Sequence, residues 1–260
     1  MKRFIAVVVA LIALPLAAGV TYDFRSSSSG VREGTLAGTV SVEGKNVRLD
    51  VKTGDSFLFK DNSVILSTDG GRTLSVFDPA LKTFYVINLN TLVGDSSSVL
   101  GALGGSVKFT NPKVSVRDLG AAETIGGYPT KHAAVDASYD IAIDVMGTAM
   151  TTHMTMTTES WTTDRLSSEF MNCMQMKNTR TGFGELDKLI EAQSAATNGR
   201  FPLKQVTTIH IAQGGNDLAS TTTSEVTNIE KKTVAASTFA PPSGYTKVDD
   251  PISRMMKNMK

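Results

Sequence analysis

Residues 135–145 read VDASYDIAIDV. Val135, Ala137, Tyr139, Ile141, Ile143 and Val145 take one parity; Asp136, Ser138, Asp140 and Asp144 take the other. A period of two belongs to the extended strand, whose side chains leave alternately on opposite faces. The segment therefore demands a sheet with one dry and one solvated face, the habit of antiparallel sheets. Three aspartates on one face invite an acid–base reading. On a strand, however, residues i and i+4 lie about 13 Å apart, beyond the roughly 5–9.5 Å that separates working carboxylate pairs. A solvated face is the simpler reading.

The next run, AMTTHMTMTTESW (149–161), supplies a partner strand after a turn at 146–148. Met150, Thr152, Met154, Met156 and Thr158 fall on one face; Thr151, His153, Thr155, Thr157 and Glu159 fall on the other, a parity that Trp161 keeps. Two explanations compete for the sulfur. Thioethers select Cu(I) among soft ions, and Met154 and Met156 are about 7 Å apart on a strand. Against a metal site, His153 points away from the methionines. Methionine also fills irregular apolar space and suits promiscuous surfaces. The apolar reading needs no coincidence and is preferred. Its predicted lining is Tyr139, Ile141, Ile143, Met150, Met154 and Met156, closed by Phe170 and Met174 from a following helix. Whether helices leave a cavity or fill it is open at this level.

Strand signals continue on both sides. From Val20 to about Asn88 short alternating runs such as VRLDV (47–51) are separated by the turn signals EGKN and TDGGR. Such spacing predicts an antiparallel meander. NTLVGDSSSVLGALG (90–104) predicts a short helix or lid weakened by its glycines. Thr163 or Asp164 is placed to cap a helix whose apolar side is Leu166, Phe170, Cys173 and Met174. A second helix is predicted over 185–197, with Leu186, Leu189 and Ile190 together and NGRFP ending it. Two strands joined by GGND (214–217) follow, and FAPPSGYTKV (239–248) closes the domain in an extended run. In DDPISRMMKNMK (249–260), Asp250 caps, Pro251 starts, and Ile252, Met255, Met256 and Met259 form an apolar stripe. This tail is a candidate contact with a membrane or partner protein.

The N-terminus reads as a secretory signal. Lys2 and Arg3 precede the apolar run Phe4–Leu14, Pro15 breaks it, and Ala17 and Gly19 set a cut after Gly19. The apolar run is shorter than the roughly 20 residues of a spanning helix. Val20, rather than a cysteine, follows the cut, so no lipid anchor is expected. The domains are then 1–19, signal; 20–248, one β domain; 249–260, tail. A periplasmic or secreted location follows. The lone Cys173 excludes an internal disulfide. Lys and Arg number 26 against 25 Asp and Glu, so no charged field invites nucleic acid. No G-x-S-x-G, phosphate loop, H-E-x-x-H or C-x-x-C occurs. No enzyme, metal site or cofactor is therefore expected.

TIGGYPTKHAAV (124–135), ESWTTDRL (159–166), GRFPLKQVTT (199–208), APPSGYTKV (240–248) and the hairpin STDGGRTLSVFDPALKTFYVIN (67–88) together resemble the LolA/LppX/RseB-like periplasmic group. Within it the chain is most similar to an uncharacterised domain-of-unknown-function family. The resemblance implies a mainly β, LolA-like fold: a curved antiparallel sheet or half-barrel with a few short helices on its concave face. It implies a non-enzymatic carrier of lipid or acylated protein, or else an envelope interaction or stress-sensing module.

Overall fold

Strand periodicity becomes a single open, curved sheet. The computed structural model describes residues 19–31, 33–55, 59–89, 105–145, 148–167, 183–251, 253 and 254. In chain order the strands are β1 (Gly19–Gly30), β2 (Gly34–Glu43), β3 (Asn46–Gly54), β4 (Val64–Ser67), β5 (Thr73–Asp78), β6 (Thr83–Asn88), β7 (Gly105–Ile125), β8 (Tyr128–Val145) and β9 (Thr148–Ser167). Helix α1 (Gly184–Thr197) then precedes β10 (Arg200–Gln213), β11 (Asn216–Lys231) and β12 (Thr246–Lys247). The sheet order is β12-β6-β5-β4-β3-β2-β1-β11-β10-β9-β8-β7. All neighbours are antiparallel except β12, which runs parallel to β6.

The seam is β1. It pairs β2 along one edge and β11 along the other, joining residues some two hundred positions apart. Its even-numbered residues set the inner face. Val20, Tyr22 and Phe24 are buried there against Val40 and Val42 of β2, Leu49 of β3, and Phe201 and Leu203 of β10. The Tyr22 and Phe201 rings meet edge-on, 5.6 Å between centroids, a favoured aromatic geometry. Each such side chain contributes about 1.5–3 kcal/mol on burial. At Gly38 the strand bulges toward β3, and a Cβ would lie 2.3 Å from the Asp50 carbonyl oxygen. Only glycine fits that approach.

The C-terminal run covers the outer face of the short strands. Phe77 of β5 stacks on Phe84 of β6 at 5.0 Å and meets Tyr245 edge-on at 5.3 Å. A 3-10 turn at Ala236–Phe239 leads into the run expected to be extended, of which Thr246–Lys247 forms β12. Beyond it, Asp250 Oδ1 accepts from Ser253 N at 2.9 Å, capping a helical turn that Pro251 begins.

Two expectations change. Thr163, Asp164 and Leu166 do not open a helix. They lie in β9, which continues to Ser167 alongside β10, past the end of its pairing with β8 at Thr162, and Leu166 is buried in the core. Pairing of Thr163 and Ser167 with β10 and burial of Leu166 outweigh a local capping preference that is worth about 1 kcal/mol. Phe170, Cys173 and Met174 lie outside the described residues, as do the predicted lid at 90–104, the predicted signal segment through residue 18, and the tail methionines. Among the described residues α1 is the one α-helix longer than a turn, where several were expected. No described helix is long and apolar enough to cross a membrane.

Strand β7 ends the sheet as a 21-residue edge. Edges of that length template aggregation unless disrupted. Pro112 removes a donor, and three register shifts break the ladder with β8. Asn111 and Gly120 take positive φ near two of these breaks.

Candidate functional site

The β8–β9 ladder is regular, and it fixes which residues share a face. Ala137 faces Met156, Tyr139 faces Met154, Ile141 faces Thr152, and Ile143 faces Met150. On the far side Phe109 and Val107 of β7 oppose Ile141 and Ile143. On the near side Ile209 and Ile211 of β10 oppose Met156 and Met154, and Leu218 of β11 opposes Ile211. The six described lining candidates therefore share one surface. Tyr139, Ile141, Ile143, Met154 and Met156 are half-buried, while Met150, near the hairpin end, is 48% exposed. Phe170 and Met174, the predicted gate, fall outside the described residues.

Helix α1 lies on this face against β7, β8 and β10. Its Leu186 and Leu189 sit over Phe109, Ala137 and Tyr139. Phe183, at its N-terminus, meets Phe109 with ring centroids 4.8 Å apart. The space left beneath is about 10 Å³, room for about one water. Directly under α1 the cleft is filled. Beside α1 the surface stays partly open, with Leu218 44% exposed. Burial raises the Tyr139 phenol above its ordinary pKa, so its hydroxyl stays neutral and available as a donor at physiological pH.

The helix itself is lightly held. Its N-cap position is Phe183, which makes no side-chain cap bond, and no basic residue occupies its last turn. A cap is worth about 1 kcal/mol. Asn198 ends the helix in the left-handed region, φ 47°, as the NG signal predicted. The Met156 sulfur accepts from Gln193 Nε2 at 3.7 Å.

The opposite face is polar and internally paired. Asp136 accepts from Arg117 at 2.7 Å and Thr157 at 2.9 Å; Asp140 accepts from Asn111 at 2.7 Å and contacts His153 Nδ1 at 2.6 Å. Arg117 foremost holds the Asp136 carboxyl below its ordinary pKa, and Asn111 foremost does so for Asp140. His132 stacks on Trp161 at 4.2 Å, bonds Glu159 at 2.8 Å, and Lys204 caps the indole at 4.9 Å. His153 and His210 border one open hollow on this face. They lie on the side away from Met154 and Met156. Among the described residues no three of His, Cys, Asp and Glu group as metal ligands.

Several lining residues were not singled out from the sequence: Val107, Phe109, Ile209, Ile211 and Leu218. The IHI triplet at 209–211 already carried the alternation. What it lacked was the register that sets it beside the methionines.

No curated protein sequence matches the chain. A LolA superfamily protein from Nitrosomonas europaea is similar in structure, at 10% identity and a TM-score of 0.32, over 88% of this chain and 93% of that one. A likeness of that depth says nothing of ligand or partner. The family described as domain of unknown function DUF4412 matches residues 28–245, most of the chain, and the chain belongs to that family.

Proposed function

We propose that the protein is an exported, non-enzymatic binder or carrier of an apolar moiety, an acyl chain or an acylated protein. The observation that carries the reading is the continuous aliphatic and thioether surface spanning β7 to β11, half-buried beside a lightly held helix. Sheet strands that served only stability would bury these side chains. Thioethers and isoleucines with open flanks suit an irregular aliphatic ligand, because dispersion contacts need shape and little direction. Helix α1 acts as the cover: displacing Leu186 and Leu189 extends the surface over Phe109 and Tyr139. Processing near Gly19 and residence in the periplasm or outside the cell complete the proposal. The tail beyond Asp249 is proposed as a membrane or partner contact.

One observation favours a second reading. The space beneath α1 is filled, as an interaction or stress-sensing module with a closed cleft requires. Native mass spectrometry of protein purified from its own host separates the two. A co-purifying mass in the lipid range supports the carrier; protein that is lipid-free after export and refuses added acyl chains supports the module.

A further inference from the structure

The four strands in the middle of the sheet are layered alike on the inner face. Reading outward from the core, β9 carries Ser160, Thr158 and then Met156; β10 carries Gln205, Thr207 and then Ile209. Strand β11 carries Ser224, Thr222 and Ser220 before Leu218, and β1 carries Ser26 and Ser28 after Phe24. Register turns these into two rows of uncharged polar groups that cross the sheet. In the first, Ser224 Oγ donates to Ser26 Oγ at 3.0 Å and Gln205 Nε2 donates to Ser160 Oγ at 3.0 Å. In the second, Ser28 Oγ lies 2.8 Å from Thr222 Oγ1, and Thr158 Oγ1 lies 3.2 Å from Thr207 Oγ1.

A hydroxyl has one donor and two acceptor sites, so each row keeps unused capacity after its internal bonds. The rows are half-buried toward β1 and β11, within reach of a ligand, and buried at β9. No position in either row is charged. A phosphate or carboxylate laid here would lose water without gaining a cation, an unfavourable exchange. A glycerol or sugar hydroxyl would trade water for matching partners. On β9 and β10 the aliphatic surface begins where the rows stop, at Met156 and Ile209.

We propose that this face binds an amphiphile with an uncharged, hydroxyl-bearing headgroup, the head against the two hydroxyl rows and the chain along Met156, Met154, Ile209 and Ile211. The inference rests on the apolar-carrier reading and names its ligand class.

The test holds the chain fixed and varies the head. Monolaurin, laurate and lauroyl lysophosphatidylglycerol compete with a fluorescent monoacylglycerol on the full-length processed protein, below their micellar concentrations. The expected result is monolaurin bound about tenfold tighter than either anion, a factor equal to about 1.4 kcal/mol. The Thr207→Val variant keeps the side-chain volume and removes a hydroxyl; combined with Ser224→Ala it should abolish the preference and leave laurate binding unchanged. Equal affinity for all three, or preference for an anion, overturns the headgroup assignment while the carrier reading stands. Failure of all three to bind overturns both. An unaltered preference in the double variant, with its thermal midpoint preserved, also overturns the assignment.

Discussion

The two ends of the sheet are built differently. From β2 to β6 the strands are four to ten residues long, and their inner residues are almost all buried. From β7 to β11 they run fourteen to twenty-one residues, and most of their apolar residues are only half-buried. One end spends its hydrophobic surface on stability. The other holds comparable surface in reserve, backed by a rigid neighbour through β1. A large half-exposed apolar face is the mark of a binding surface.

Substitutions should therefore separate stability at one end from binding at the other. The largest effect is expected at Phe201, fully buried at the junction with Tyr22. Phe201→Ala should lower unfolding free energy by about 3–5 kcal/mol, read as a shifted urea midpoint. A loss near 1 kcal/mol would mean that the core shared across β1, where β10 meets the compact end, is not what stabilises the fold. Leu189→Ala removes the buried anchor of α1 and should cost about 2 kcal/mol locally. Hydrogen exchange should speed in residues 184–197 while the β2–β6 amides keep their protection. Uniform acceleration would show that α1 belongs to the global core.

The seam gives a smaller, pH-dependent effect. Asp23 accepts from Asn228 of β11 at 2.9 Å, from Thr39 of β2 at 2.7 Å, and from Lys52 of β3. The Asn228 bond foremost, then Thr39, lowers its pKa below the ordinary 3.8, against a modest burial penalty. A depressed carboxyl contributes stability that is fully present above its unfolded pKa and is lost as pH falls through the folded value. Asp23→Asn should thus lose no more than about 1 kcal/mol at neutral pH, given its solvent screening, and the loss should shrink below about pH 4. A penalty that stays constant down to acid pH would mean the charge is not what matters. Smallest in stability is Met154→Ser, at about 0.5 kcal/mol for a half-exposed site. It should nonetheless weaken a fluorescent fatty-acid probe several-fold, and an unchanged dissociation constant would remove Met154 from the surface.

Local periodicity reached part of this arrangement. The alternation of 135–145 appears as β8 with the predicted faces, and the Leu186, Leu189 and Ile190 spacing with its NG stop appears as α1. The run after Trp161 misled because Thr163 and Asp164 are good cap residues, while what keeps the run extended is pairing with β10, whose residues lie more than thirty positions away in sequence, and burial of Leu166. The hydroxyl rows were hidden for the same reason. Serine and threonine on separate strands look like wet positions until register stacks Gln205 beside Ser160 and Ser224 beside Ser26. The filling beneath α1 was likewise a matter of tertiary packing, which periodicity does not encode.

The most direct measurement is photo-crosslinking with a diazirine-bearing acyl chain, mapped by peptide mass spectrometry on the purified protein. The account predicts adducts on Tyr139, Ile141, Met154, Met156 and the Leu186–Leu189 face of α1, all suppressed by excess unlabelled chain. Saturable adducts confined to the Trp161–His132 face or to β2–β6, or none at all, would contradict it.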